Sequence, residues 1–257
     1  MSSGPDHVTS AANPLLKDLR KLSQDSHAYR KLGRVWLEGD HLCSAALERG
    51  VRPQVLVITE SLASEAPHWL GQAARDVIVP DALFASLSAL ESPARMGFVI
   101  DAPQSPGIEP HTATVVLDRL QDAGNVGSIL RSAAAFGFRQ VIALKGTAAL
   151  WSPKVLRAGM GAHFSLSLVE SAGPGQLDAL QVPLIATSLH GGEYLHAAKL
   201  PWPCGWLLGH EGQGLNADLA SRANISVRIA QPGGEESLNV AAAAAICLHA
   251  SAVAPKG

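Results

Sequence analysis

The chain has 257 residues, a length that suits two modest domains better than one large one. Hydrophobic residues make up 47% and charged residues 16%, which excludes a disordered chain and indicates a globular protein. The formal net charge of −2 argues against a protein that coats nucleic acid by bulk electrostatics. The N-terminus lacks the pattern of a signal peptide and the longest apolar run is mostly alanine, so we predict neither secretion nor membrane spanning.

The first hundred residues alternate helical patterns with short apolar runs, which is typical of an α/β domain. Asn13 followed by Pro14 predicts a helix start, because the asparagine can cap a helix whose first residue is proline. A further helix is predicted near residues 41–49. Strands are predicted at 35–37, 55–58, 77–79 and 97–100.

A basic segment follows the first predicted helix start. Between residues 17 and 34 there are six basic residues against two acidic ones, a local excess of four positive charges. The ordinary interpretation is a solvated helix face, and the functional one is a surface that contacts phosphates. The residues of this candidate phosphate-contact surface are Lys17, Arg20, Lys21, Arg30, Lys31 and Arg34.

The segment 101–110 contains three prolines and one glycine without periodicity, which is typical of a linker. We therefore predict an N-terminal domain at 1–102, a linker at 103–112 and a second domain at 113–257. In the second domain six predicted strands alternate with helices, which favours a mostly parallel sheet covered on both faces. These strands lie at 115–117, 141–144, 164–168, 184–187, 206–208 and 227–229.

Three segments of the second domain place a polar, glycine-containing turn between a predicted strand and a predicted helix. Ligands collect at this carboxyl edge in parallel α/β sheets. In the first segment, 115–138, Asn125 is the predicted N-cap and Arg131 lies off the apolar stripe of the helix. Helical side chains lean toward the N-terminus, so the two polar groups can converge at one helix start. An ordinary cap and a surface arginine are the alternative.

The second segment, 205–215, sets three glycines around Glu211 in the order G-x-x-G-x-G. This order differs from the dinucleotide fingerprint and argues against an NAD-dependent dehydrogenase, although a simple tight turn remains an alternative. The third segment, 227–249, has a Pro-Gly-Gly turn, Ser237 as the predicted cap, and an alanine-rich helix.

Together these segments resemble one family. The patterns are N-x-G-x-x-x-R-S-A-x-x-F-G at 125–137, L-G-x-E-x-x-G-L at 208–215 and I-x-x-x-G-x-x-E-S-L-N-V at 229–240. In order and spacing they look like the three motifs of the SpoU, or TrmH-like, ribose 2′-O-methyltransferases of RNA. The first hundred residues resemble, more weakly, the small α/β substrate-binding domain of that family. This resemblance implies that the domain at 1–102 binds the RNA substrate and that its six basic residues between 17 and 34 are RNA-binding residues.

The resemblance implies a trefoil-knotted, mostly parallel α/β domain, S-adenosyl-L-methionine as methyl donor, and ribosomal or transfer RNA as substrate. It also implies a homodimer. The implied cofactor-binding residues are Thr187, Ser188, Leu208, Gly209, Glu211, Gly212, Ile229, Leu238 and Asn239. The implied catalytic residues are Asn125, Arg131, Glu211, Ser237 and Asn239. One departure is visible, since Ala230-Gln231 stands where family members often have Pro-Met.

The methyl group of a sulfonium is already activated, so the protein chiefly has to align the 2′-hydroxyl and help to remove its proton. A guanidinium is a poor base, and we therefore expect Arg131 to stabilise the developing alkoxide or to bind the adjacent phosphate. A knotted enzyme that methylates a base nitrogen and a catalytically silent RNA-binding protein of the same fold are the alternatives.

Cysteine and histidine usage predicts a cytoplasmic protein without a metal. Cys43, Cys204 and Cys247 are odd in number and widely separated, which favours a reducing compartment over a disulfide framework. None of the ten histidines has the spacing of a metal-binding motif.

Overall fold

The computed structural model describes residues 4–188, 191–233 and 238–254. The chain forms two compact units, Met1–Gln104 with Trp151–Phe164 and Ser105–Leu150 with Ser165–Gly257. Among the described residues, no helix combines the length and the apolar character that crossing a membrane requires.

The N-terminal unit contains a five-stranded mixed sheet. Its strands are β1 (Asp6–His7), β2 (Arg34–Glu38), β3 (Val55–Thr59), β4 (Arg75–Val79) and β5 (Met96–Asp101). Their order is β1-β4-β3-β5-β2, with β5 antiparallel to both neighbours. The helices are α1 (Pro14–Gln24), α2 (Ala28–Leu32), α3 (Asp40–Glu48), α4 (Glu60–Glu65), α5 (Asp81–Ala85) and α7 (Pro153–Gly159). The predicted cap is confirmed, because the Asn13 side chain accepts a hydrogen bond from the Leu15 backbone N–H.

The segment 151–164 packs with the N-terminal residues, although it follows the first two strands of the other sheet. Helix α7 contacts α1 and β2. Gly161 adopts a left-handed conformation at φ +84°, and a Cβ there would lie 2.5 Å from Ala45 Cβ, so the chain needs glycine at this turn. This placement was not predicted from the sequence.

The C-terminal unit contains a fully parallel seven-stranded sheet. Its strands are β6 (Thr114–Leu117), β7 (Gln140–Leu144), β8 (Ser167–Ala172), β9 (Leu184–Thr187), β10 (Glu193–Tyr194), β11 (Gly205–Leu208) and β12 (Ile225–Arg228). The order is β10-β12-β9-β11-β6-β7-β8. The helices are α6 (Ala123–Ala135), α8 (Ala217–Ser221) and α9 (Val240–Val253). The predicted α/β class and the mostly parallel sheet are confirmed, while the trefoil knot stays a prediction.

Helix α9 is fixed to the centre of this sheet. Its Ser251 hydroxyl accepts a 2.9 Å hydrogen bond from the indole N–H of Trp206, a fully buried residue of β11. Cys247 and Leu248 are buried on the same helix. These contacts hold the N-terminus of α9 close to the carboxyl edge of the sheet.

Two predicted helix caps were wrong. Helix α6 is capped by Asp122, whose carboxylate accepts from the backbone N–H of Asn125, so Asn125 lies inside the first turn. Helix α9 is capped by Asn239, and the predicted cap Ser237 lies outside the described residues. In both helices a stronger or nearer side-chain acceptor is present in the same turn.

Two predicted strands are displaced. The strand predicted at 164–168 begins at Ser167, because Ala162–Ser165 forms a 3-10 helix. The strand predicted at 227–229 ends at Arg228, which places Ile229 in the loop. The short strand β10 was not predicted, since two residues carry no usable periodicity.

Candidate active site

The carboxyl ends of β9, β11 and β12 surround a cavity in the C-terminal unit, together with the N-terminus of α9. The cavity has a volume of about 380 Å³, within the range of small-molecule sites. Its lining residues are Thr187, Ser188, Leu208, Gly209, His210, Glu211, Gly214, Leu215, Ile229, Gln231, Leu238, Asn239, Val240 and Ala243. Such an edge collects ligands because the strands of a parallel sheet all end on the same side.

The loop after β11 closes on itself as a tight turn. His210 and Gly214 exchange backbone hydrogen bonds of 3.1 and 2.8 Å. A Cβ at Gly209 would lie 2.2 Å from Leu215 N and 2.3 Å from the carbonyl carbon of Gly214. Gly209 is therefore required for the loop to close, and the closed loop forms part of the cavity wall.

Glu211 joins this loop to the start of α6. Its carboxylate accepts from the backbone N–H groups of Gln121 and Asp122, and from the Asn125 side-chain amide, at 3.2–3.4 Å. Burial by itself would raise the pKa of Glu211, but these hydrogen bonds and that of its own backbone N–H outweigh it. The pKa of Glu211 lies below its ordinary value of 4.5, so the carboxylate is ionised at neutral pH.

The third predicted segment joins the same cluster through Asn239. The Asn239 side-chain N–H donates to Asn125 Oδ1 at 3.0 Å, while Asn239 Oδ1 accepts from the backbone N–H groups of Ala241 and Ala242. Asn125 in turn donates to Glu211. One chain of hydrogen bonds thus connects the three segments that the sequence singled out.

The buried carboxylate of Asp118 binds the loop that carries Glu211. Asp118 follows β6 and is buried, and it forms a salt bridge to Arg119 at 2.9 Å. Its second oxygen accepts from the backbone N–H of Asn216 at 2.9 Å, and Arg119 donates to the Gln213 side chain. The Asp118 carboxylate therefore holds one end of the loop after β11 directly and contacts the loop's interior through Arg119. The sequence analysis missed it, although an aspartate directly after a buried strand was a usable signal.

Most predicted cofactor-binding residues line the cavity. Thr187, Ser188, Leu208, Gly209, Glu211, Ile229, Leu238 and Asn239 are all lining residues. Gly212 does not line it, because its backbone N–H turns toward His210 Nδ1 at 3.0 Å within the tight turn. The assignment of these residues to a cofactor remains a proposal.

Of the five predicted catalytic residues, three come together, Arg131 lies apart, and Ser237 lies outside the described residues. Asn125, Glu211 and Asn239 come together. Arg131 lies on an exposed stripe of α6 with Gly124 and Ser128, away from the buried face, and is not a lining residue of the cavity.

The predicted RNA-binding residues belong to α1, α2 and β2 of the N-terminal unit. Lys17, Lys21 and Lys31 are exposed. Arg20 is half-buried and donates to Ala11 O and Ser86 Oγ, while Arg30 donates to the Tyr29 hydroxyl. Arg30 and Arg34 are also exposed, so the three lysines and Arg34 are better placed for a partner than Arg20 and Arg30, whose guanidinium groups already donate hydrogen bonds within the protein.

No group of three or more histidine, cysteine, aspartate or glutamate side chains within the described ranges could hold a metal ion. The absence of a metal stays a prediction.

These features define a parallel α/β unit with a cavity of small-molecule size at the carboxyl edge of its sheet. The model of the SpoU rRNA Methylase family matches residues 112–249, and that of the MRM3-like substrate binding domain matches residues 13–96. The chain therefore belongs to the SpoU rRNA methylase family, which confirms the predicted resemblance.

Similar proteins cover nearly the whole chain. The 23S rRNA (guanosine(2553)-2′-O)-methyltransferase of Bacillus subtilis is 28% identical over 94% of this chain and 97% of its own length. An uncharacterized tRNA/rRNA methyltransferase of Synechocystis is 32% identical over 94% of this chain and 92% of its own. The AdoMet-bound rRNA methyltransferase of Sinorhizobium meliloti has a TM-score of 0.83 at 27% identity, covering 97% of this chain and 98% of that one.

Proposed function

We propose that this protein transfers a methyl group from S-adenosylmethionine (AdoMet) to a ribose 2′-hydroxyl of ribosomal RNA. The observation that carries the proposal is the hydrogen-bonded cluster of Glu211, Asn125 and Asn239, two of whose members line the cavity. Family membership and the similarity to an rRNA 2′-O-methyltransferase over almost the full chain support the same reaction.

The cavity fits the cofactor on the chemistry of its walls. Leu208, Leu215 and Ile229 supply apolar surface for an aromatic base, and Thr187 and Ser188 supply hydroxyl groups. The side-chain carbonyl of Gln231, a lining residue, is buried without a hydrogen-bond partner. When bound there, AdoMet supplies an activated methyl group.

The residues of the cluster position the acceptor and are poorly suited to remove its proton. Asn239 uses its carbonyl to cap α9, and Asn125 uses both its N–H and its carbonyl in the cluster. Glu211 is a weak base, because its pKa is lowered. We therefore assign orientation of the ribose to this cluster, and transfer of the proton to water or to a phosphate of the RNA.

Arg131 is proposed to act on the RNA. Its exposed guanidinium on α6 can bind the phosphate beside the target ribose through two parallel hydrogen bonds, or stabilise charge that develops on the 2′-oxygen. Additional RNA contacts are assigned to the basic residues of the N-terminal unit, where the MRM3-like substrate binding model matches.

We also propose that the protein is a homodimer formed through α9. This helix is apolar around almost its whole circumference, yet Ala242, Ile246, His249 and Val253 form an exposed stripe. A helix that is apolar on all sides is normally buried on all sides. A second copy is the proposed cover, and Ile246→Asp should halve the mass measured by light scattering, whereas Met160→Asp, also at an exposed apolar residue, should leave it unchanged.

A cytoplasmic location is proposed from the state of the cysteines. Cys43, Cys204 and Cys247 are free and buried. Burial raises the pKa of Cys204 to about 11 and that of Cys247 to about 12, so these thiols are protonated and unreactive at neutral pH.

The substrate assignment is tested by mapping 2′-O-methyl groups in ribosomal and transfer RNA from cells with and without this gene. We expect one ribosomal position to lose its methyl group in the deleted strain and to regain it when the gene is restored. A position lost from transfer RNA, with ribosomal RNA unchanged, would contradict the assignment to ribosomal RNA.

A further inference from the structure

Gln231 differs from the other described lining residues because its side-chain carbonyl oxygen is buried and has no hydrogen-bond partner. A buried amide oxygen without a partner is costly, so native structures normally satisfy such groups or reserve them for a ligand. Since Gln231 lines the cavity, the missing donor is to be sought in the ligand.

The position of Gln231 along the sheet edge identifies the part of the ligand that it faces. Gln231 follows β12, whereas Asn125 follows β6, and β9 and β11 lie between these two strands. Three strand spacings separate their ends by about 14 Å. The strand that precedes Gln231 therefore ends on the side of the cavity away from the strand that leads to Asn125.

The surroundings of Gln231 favour a flat, uncharged group. Ile229, the first residue after β12, and Leu238 also line the cavity and provide apolar contact surface. Among the described lining residues Glu211 is the only carboxylate, and it belongs to the loop after β11. The described residues that directly follow β12 and line the cavity, Ile229 and Gln231, carry no charge to pair with the ammonium of the methionine moiety, whereas an adenine ring needs only apolar walls and an acceptor for its amino group.

We propose that Gln231 is a specificity-determining residue, whose side-chain carbonyl accepts a hydrogen bond from the 6-amino group of the adenine of AdoMet. This inference rests on the proposed function, since it takes AdoMet to be the ligand of the cavity. It assigns recognition of the amino group to a side chain, so exchange of a single residue should alter discrimination between purines.

The test is calorimetric binding of S-adenosylhomocysteine and of its analogue in which hydrogen replaces the 6-amino group. The wild-type protein should bind the analogue about tenfold more weakly, as expected for loss of one buried hydrogen bond and an acceptor left unpaired. Gln231→Met has a side chain of similar length without the acceptor, and it should bind the two ligands equally. Gln231→Glu keeps an acceptor oxygen and should retain the preference.

The control is Gln104→Met, an exposed residue of the N-terminal unit, which should behave as the wild type. Circular dichroism of each variant verifies folding. An unchanged preference in Gln231→Met, or no preference in the wild type, would overturn the assignment of Gln231 and leave the proposed function intact. Failure of the wild-type protein to bind S-adenosylhomocysteine at all would instead overturn the proposed function.

Discussion

The edge of the parallel sheet and the basic segment of the N-terminal unit differ in how their polar groups are used. At the sheet edge, Glu211, Asn125 and Asn239 are bound to one another. In the basic segment, Lys17 and Lys21 extend from an exposed helix face. A site that positions reacting atoms gains from fixed side chains, whereas a surface that binds phosphates by charge does not require them. A single substitution at the sheet edge should therefore cause a large loss of function, whereas each substitution in the basic segment should weaken RNA binding only slightly.

The largest effect is expected at Gly209, where the loop has no space for a side chain. Gly209→Val would bring a Cβ within 2.2–2.3 Å of the loop's own backbone at Gly214 and Leu215. We expect S-adenosylhomocysteine binding to fall by about a hundredfold or more, on the order of 3 kcal/mol. Gly212→Val in the same loop meets only His210, at 3.9 Å, and should bind nearly as the wild type. Equal losses in both variants would contradict the steric account.

Arg131 tests whether an exposed side chain can still act in the reaction. Arg131→Ala should fold normally and bind S-adenosylhomocysteine, but should lose about a hundredfold in single-turnover methyl transfer to saturating RNA. Arg131→Lys keeps the charge without the planar fork, so a comparable loss would indicate that guanidinium geometry is required. A wild-type rate in the alanine variant would return Arg131 to the status of a surface residue.

Substitution of Asp118 tests how much its buried hydrogen bond and salt bridge contribute to the stability of the protein. Asp118→Ala removes the acceptor of the Asn216 N–H and the partner of Arg119, and should lower the free energy of unfolding by about 2 kcal/mol. Asp178→Ala breaks the salt bridge to Arg222, in which the aspartate side chain is 72% exposed, against 4% for Asp118. Breaking the exposed pair should lower the free energy of unfolding by less than about 0.5 kcal/mol. Both free energies are measured by urea unfolding. A similar loss of unfolding free energy in both variants would contradict the proposed role of Asp118 in stabilising the loop.

The smallest effect per residue is expected in the basic segment. Lys17→Glu combined with Lys21→Glu should weaken RNA binding several-fold and reduce its dependence on salt concentration, with the affinity for S-adenosylhomocysteine unchanged. Lys199→Glu makes the same kind of charge change at an exposed residue of the C-terminal unit. If Lys199→Glu alters the salt dependence per charge as much as the double variant, the basic segment has no special role and the solvated-face interpretation is correct.

Regular local patterns explain why much of the fold could be predicted. The parallel strands are short apolar runs separated by helical periodicity, and α1 begins at the predicted Asn13-Pro14 signal. The wrong caps have one cause, since Asp122 and Asn125, or Ser237 and Asn239, are capping residue types only two or three positions apart in the sequence. Spacing alone does not decide between them.

The parts of the site that could not be predicted depend on long-range pairing. Asp118 and Asn216 are 98 residues apart in the chain, and the attachment of α7 to the N-terminal unit depends on packing around Gly161. Motif resemblance identified eight of the fourteen lining residues, because most of these lie in or beside short motifs that follow the strands. It carried no information on the unused carbonyl of Gln231, which only the folded environment reveals.

The central claim is that the methyl group is transferred to a ribose oxygen. The most direct measurement is to label RNA with the purified protein and AdoMet carrying a radioactive methyl group, and then to hydrolyse the RNA in alkali. A 2′-O-methyl group blocks cleavage of the adjacent phosphodiester, so the account predicts that the label appears in alkali-stable dinucleotides. Label recovered in mononucleotides would show methylation of a base and would contradict the account.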